Sequence, residues 1–217
     1  MKQRELRTLK ADTKTIGLET REDGTTTLSG HAAVFYRADE PGTQYELWSG
    51  AVERIERTAF DAAIERDDVR ALFNHDSNYP LGRTSSKTLK LSVDERGLKF
   101  SVDLPDTQAG RDVAESVRRG DVSGASFGFV VTDQEWRTED GMDVRSIAGV
   151  ELYDVGPVTF PAFEATDVSV RSDEDVEAAK AAHEAFKSAR GDEESLRQKR
   201  KANSAMRVIE ISEQSGI

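Results

Sequence analysis

The sequence predicts a mostly β domain with flanking helices, an α+β fold, that ends in a charged tail. Two observations carry this reading. From Thr25 to about Arg171, short runs rich in Val, Leu, Phe and Thr alternate with Gly, Pro, Asn and Asp, the punctuation of strands joined by turns. After Ser172 that pattern stops, and Asp, Glu, Lys, Arg and Ala dominate as far as Arg200. The 217 residues suffice for one domain with a sizeable core but not for two of ordinary size. The divisions are an N-terminal arm over 1–24, a folded domain over 25–171 and a C-terminal tail over 172–217.

The elements follow in chain order. Thr26 to Tyr36 reads as a strand. In the segment Thr58 to Arg66, Thr58 is an N-cap and Phe60, Ala63 and Ile64 share one face, which predicts a short helix. Val69 to Phe73 is a second strand, ending at Asn74-His75-Asp76. Leu89 to Val93 and Leu98 to Val102 alternate cleanly around Asp94-Glu95-Arg96-Gly97, a hairpin. Asp106 or Thr107 caps a helix running to Arg119, with Ala109, Val113 and Val117 as its apolar stripe and Gly120 just past its end. Ala125 to Val131 and Arg145 to Phe160 are further strands, the latter broken near Gly156-Pro157 because proline cannot donate to a ladder. In the tail, Val176, Ala179, Phe186 and Ala189 give only a thin apolar stripe, so it reads as weakly helical or disordered.

Composition excludes several chemistries. Lys and Arg number 30 against 41 Asp and Glu, a net charge of -11, so nucleic acid is not an expected partner and proteins with basic patches fit better. No cysteine is present, which removes disulfides, thiolate zinc sites and cysteine nucleophiles. No stretch approaches the apolar length needed to span a bilayer, and the charged start has no apolar signal-peptide core. The expectation is a soluble, cytoplasmic protein with no membrane partner.

Only three histidines are available as a general base: His31, His75 and His183. Histidine suits the activation of a serine because its ordinary pKa of about 6.5 leaves it neutral yet basic near pH 7. His75, at a strand end, is either such a base or a turn-stabilising residue. His31 lies mid-strand on the face of Ser29, Ala33 and Phe35 and reads as a packed, hydrogen-bonded histidine, while His183 in the charged tail reads as solvated. Gly124-Ala125-Ser126-Phe127-Gly128 matches the G-x-S-x-G pattern, but that motif needs a strand, a turn and then a helix. Here the helix comes first, so the α/β-hydrolase reading fails. What remains is a serine among small residues that let backbone N–H groups and a substrate carbonyl come close, or a glycine-rich strand start packed under the preceding helix. A carboxylate to orient the imidazole is available in Glu151 or Asp154, either of which is alternatively a structural partner of Arg145 or Arg83. Alternation puts Val150 and Leu152 on one face of that strand and Glu151 and Tyr153 on the other.

Together these segments resemble the prohead proteases of tailed phages, a family distantly similar in fold to the herpesvirus assemblins. The resemblance runs from about Thr25 to Val170. It rests on Gly30 to Phe35, on Phe73-Asn74-His75-Asp76 with Leu81-Gly82-Arg83-Thr84, on Ser123 to Phe129, and on Glu151 to Ala162. It implies an assemblin-like β-barrel and a serine endopeptidase with His75 as base, Ser126 as nucleophile and Glu151 as the third member. It further implies cleavage of the scaffolding segment of the major capsid protein and of the enzyme itself, inside the assembling procapsid in the host cytoplasm. A homodimer is compatible with it, no cofactor is implied, and the oxyanion hole falls either to backbone N–H groups near Ser126 or to Arg83.

Two other classes compete. A non-enzymatic β domain with an acidic tail that binds capsid or scaffold protein explains the composition equally well, without requiring His75, Ser126 and Glu151 to converge. A metal-dependent hydrolase using His31, His75 and Asp76 lacks any H-E-x-x-H or comparable ligand spacing.

Overall fold

The computed structural model describes residues 4–8, 16–40, 42–160, 177 and 179–191. Contacts divide the chain into two compact units, Met1–Asp175 and Val176–Ile217. In the second, 179–191 form a helix on which the His183 ring stacks against Phe186, the next turn on, with centroids 6.4 Å apart. His183 is buried rather than solvated. Apart from Glu177, the rest of the tail lies outside the described residues.

The first unit runs β1 (Glu5–Thr8), β2 (Ile16–Thr20), β3 (Thr26–Val34), β4 (Tyr45–Trp48), β5 (Ala51–Ile55), α1 (Asp61–Arg66), β6 (Arg70–Leu72), β7 (Pro80–Arg83), β8 (Leu89–Val93), β9 (Gly97–Asp103), α2 (Gln108–Arg119), β10 (Gly124–Glu139) and β11 (Met142–Val158), with a 3₁₀ turn at Phe73–His75 after β6. One sheet has the order β2-β3-β9-β8 and contains the expected hairpin, with Val93 opposite Leu98. The other has the order β1-β10-β11-β5-β4, and β6 joins it on β11 and carries β7. The 17 residues of β11 make room for two parallel neighbours, β5 along Asp143 to Ile147 and β6 along Asp154 and Val155.

The expected barrel does not close. Among the described residues the outer strands of the two sheets do not pair with each other; instead one core takes Leu28, Phe100 and Val102 from one sheet and Ile55, Phe127 and Phe129 from the other. Two sheets sharing a core bury both inner faces without a closed ladder. The 1–24 arm contributes a strand to each sheet, β1 beside β10 and β2 beside β3.

Three local expectations shift for identifiable reasons. Helix α1 starts at Asp61 rather than after Thr58, because Phe60 is fully buried at its N-cap, edge-on to Phe127 with centroids 5.5 Å apart, and that packing sets where the helix begins. Strand β11 continues through Pro157, which lies opposite Ala125. Its pairing with β6 ends at Val155, two residues before the proline. Helix α2 matches its sequence signals: Thr107 Oγ1 accepts from Gly110 N at 3.2 Å, and Gly120, at φ +85°, closes it in the left-handed region that favours glycine.

Candidate active site

Helix α2 ends against the start of β10, and Ser126 is the third residue of that strand. Side chains alternate across a strand, so with Phe127 and Phe129 in the core, Ser126 and Gly128 point to the opposite face. Ser126 is fully buried. Its Oγ lies 2.7 Å from His75 Nε2, donates to the Arg7 carbonyl at 2.8 Å and accepts from Thr8 Oγ1 at 3.1 Å.

The chain reaches His75 through a conformation that costs energy. Asn74 and His75 have φ of +52° and +59°, where non-glycine residues are uncommon, and the turn persists because Asn74 is clamped on both sides of its amide. Asn74 Nδ2 donates to Thr159 Oγ1 at 3.0 Å, and Thr159 N donates to Asn74 Oδ1 at 2.8 Å. The residue opposite Ser126 on β11 is Gly156, where an added Cβ would lie 1.9 Å from the Leu72 carbonyl oxygen. That missing side chain lets the end of β6, and with it His75, close on the serine.

The carboxylate that meets His75 is Asp154, not Glu151. His75 Nδ1 is 2.7 Å from Asp154 Oδ1. Between the pairs Gly128↔Asp154 and Phe129↔Leu152 the register shifts, and Tyr153 is the extra residue of a β-bulge. Uninterrupted alternation would put Asp154 on the core face with Val150 and Leu152. The bulge turns it onto the face of Ser126 and Gly128, while Val155 takes the core position opposite Phe127. Glu151 also faces away from the core, but opposite Val130, four residues along β10 from Ser126. Gly128 completes the arrangement, since a Cβ there would lie 2.7 Å from Asp154 Oδ1 and from the Arg4 guanidinium.

Electrostatics set the protonation states. Burial, and then the positive charge of Arg4, lower the His75 pKa from 6.5 to about 4, so the imidazole is neutral at pH 7. With Asp154 beside Nδ1, the proton of the neutral ring sits on Nδ1 and leaves Nε2 as the acceptor facing Ser126. Arg4 forms an ion pair with the second oxygen of Asp154, whose side chain is only 1% exposed. The single Ser126 proton thus has two acceptors at hand, His75 Nε2 and the Arg7 carbonyl. A nucleophile bonded to a base that is oriented by an acid is the arrangement of acyl-transfer hydrolases.

The other sequence candidates lie elsewhere. His31 Nε2 is 2.8 Å from Asp94 Oδ2, at the tip of the β8–β9 hairpin. The Arg83 guanidinium is held by both oxygens of Asp68, as a bidentate pair at the surface. Sequence reasoning missed the contribution of β1, which covers Ser126. The signal for it was weak: in Glu5-Leu6-Arg7-Thr8 only Leu6 is apolar.

The family model described as "Caudovirus prohead serine protease" matches residues 13–181. Among solved structures, the capsid assembly protease gp21 of bacteriophage T4 is similar at 11% identity with a TM-score of 0.38, covering 71% of this chain and 98% of that one. No curated protein matches.

Proposed function

Since the chain belongs to the caudovirus prohead serine protease family, we propose that it is a capsid-maturation endopeptidase whose catalytic residues are Ser126, His75 and Asp154. The observation that carries this is the unbroken run of hydrogen bonds from Ser126 Oγ through both ring nitrogens of His75 to Asp154. Ser126 Oγ attacks the peptide carbonyl carbon while its proton passes to His75 Nε2, and Asp154 stabilises the imidazolium that forms. The C–N bond then breaks, the amine leaves with that proton, and water hydrolyses the ester by the reverse transfers, releasing a carboxylic acid and restoring Ser126. Backbone N–H groups at the small residues around Ser126 are assigned as the oxyanion donors, since Arg83 is committed to Asp68.

The substrates proposed are the scaffolding segment of the major capsid protein and the enzyme itself, inside the procapsid. The tail over 172–217 is proposed to target the enzyme to the assembling shell. Co-expression with the cognate major capsid protein, intact and as Ser126→Ala, followed by intact-mass measurement of both, tests the reading. Capsid-protein cleavage by the intact chain alone is expected; equal processing in both samples, or none in either, would overturn it in favour of a non-enzymatic scaffold-binding domain.

A further inference from the structure

Four charged side chains lie buried together where β1, β10, β11 and β5 run side by side. Arg7 donates to both oxygens of Glu53, at 2.5 and 2.9 Å, and to Glu5 at 2.5 Å. Arg145 donates to Glu53 at 2.7 Å and to both oxygens of Glu5, at 3.0 and 3.1 Å. All four residues are 5% exposed or less. Two belong to the body of the fold, Glu53 and Arg145, which are also opposite one another in the β5–β11 ladder. The other two, Glu5 and Arg7, come from β1.

Strand β1 is a short edge strand, antiparallel to β10, with Thr8 opposite Ser126 and Arg7 opposite Phe127. An extended segment added to a sheet edge is a standard way to hold a peptide, with main-chain bonds giving affinity and alternate side chains giving selectivity. In this strand the carbonyl that accepts the Ser126 proton is that of Arg7, the arginine that Glu53 holds. Arg4 meets Asp154 on the other face. Burial on its own would depress the Arg7 pKa; Glu53, backed by Glu5, reverses this and raises it, so the arginine is held charged.

We propose that β1 occupies the substrate groove, and that Glu53 and Arg145 form a specificity subsite for an extended peptide carrying a basic residue immediately before the bond at Ser126 and an acidic residue two positions before that. The inference rests on the catalytic reading of Ser126. Glu53 reads the basic side chain and Arg145 the acidic one. When β1 withdraws, Glu53 and Arg145 still neutralise each other, so the empty subsite is not left with one uncompensated buried charge. A substrate with the Glu-x-Arg pattern restores the quartet, whereas one with the charges exchanged brings like charges together. With β1 in place, Ser126 is covered and its proton is shared with the Arg7 carbonyl, so the same strand restrains the enzyme until it is displaced.

The test uses the full chain carrying Ser126→Ala and Arg7→Ala, which weakens β1 without permitting hydrolysis. Labelled peptides with the sequence of residues 4–8, with Glu and Arg exchanged, or with both replaced by Ala, are titrated against it. The native peptide is expected to bind more tightly than either other by about tenfold or more, the usual scale for charge-assisted bonds. Glu53→Gln in the same background is expected to abolish the preference for the basic residue. Equal binding of all three peptides, no binding of any, or a preference that survives Glu53→Gln would overturn the inference. If Glu53→Gln does not melt cooperatively, Arg145→Gln is used in its place, with loss of the acidic preference expected and its survival overturning the subsite. A chain that binds with the stated preference but cleaves nothing when Ser126 is present sinks the protease reading and leaves the peptide subsite; cleavage without any preference sinks the subsite alone.

Discussion

His75 is the residue on which the proposed chemistry turns, and its environment makes two measurable statements. Its pKa is lowered from 6.5 to about 4 in the folded chain, because burial and then the charge of Arg4 disfavour its charged form. Between those values the unfolded chain binds more proton, so His75 lowers stability as the pH falls from about 6.5 towards about 4 and adds no pH dependence above that window. With three histidines in the chain, an NMR titration resolves it, and Arg4→Ala is expected to move its pKa upward; an unchanged value would remove Arg4 as a cause. The acid is the second residue-scale test. Asp154→Asn is expected to reduce peptide hydrolysis by about a thousandfold to ten-thousandfold, through loss of the imidazole's orientation and charge stabilisation, while Glu151→Gln stays near wild type. Similar losses in both variants would return the choice between the two acids to the open.

At the scale of elements, the proposed site depends on strands that approach more closely than side chains allow. Gly156→Ala puts a Cβ 1.9 Å from a backbone oxygen that has no rotamer to give way. The expected result is a loss of about 1–3 kcal/mol in denaturant unfolding, the range for overpacked sites, together with reduced hydrolysis as the 3₁₀ turn carrying His75 is pushed off β11. Thr159 and Asn74 hold that turn from the other side. The β-bulge at Tyr153 acts at the same scale, since one extra residue decides which carboxylate faces His75. Periodicity in the sequence shows where a strand runs and which faces it has. It does not show where the period slips, which is why alternation left Glu151 and Asp154 both open.

For the whole molecule, the core residues shared by the two sheets all fall between Ile16 and Val155. A chain ending at Asp175 is therefore expected to melt cooperatively within about 4 °C of the full chain, the shift that roughly 1 kcal/mol makes at this size. Non-cooperative melting would show that the second unit is needed for folding. Part of this architecture was legible in the sequence: the β8–β9 hairpin and the capped α2 leading into β10 are written in local signals of turn, cap and period, whereas the meeting of His75 with Ser126 was implied only by the family resemblance. Other features were not. Glu5-Leu6-Arg7-Thr8 reads as polar because the charge quartet that buries Glu5 and Arg7 is completed by Glu53 and Arg145, distant in the chain. Two open sheets rather than a barrel, the contact of Asp154 with His75 and the covering of Ser126 by β1 were decided by tertiary structure alone. Ladder closure, bulge register and the pairing of buried charges depend on residues far apart in sequence, and a local pattern contains no information about which of them meet.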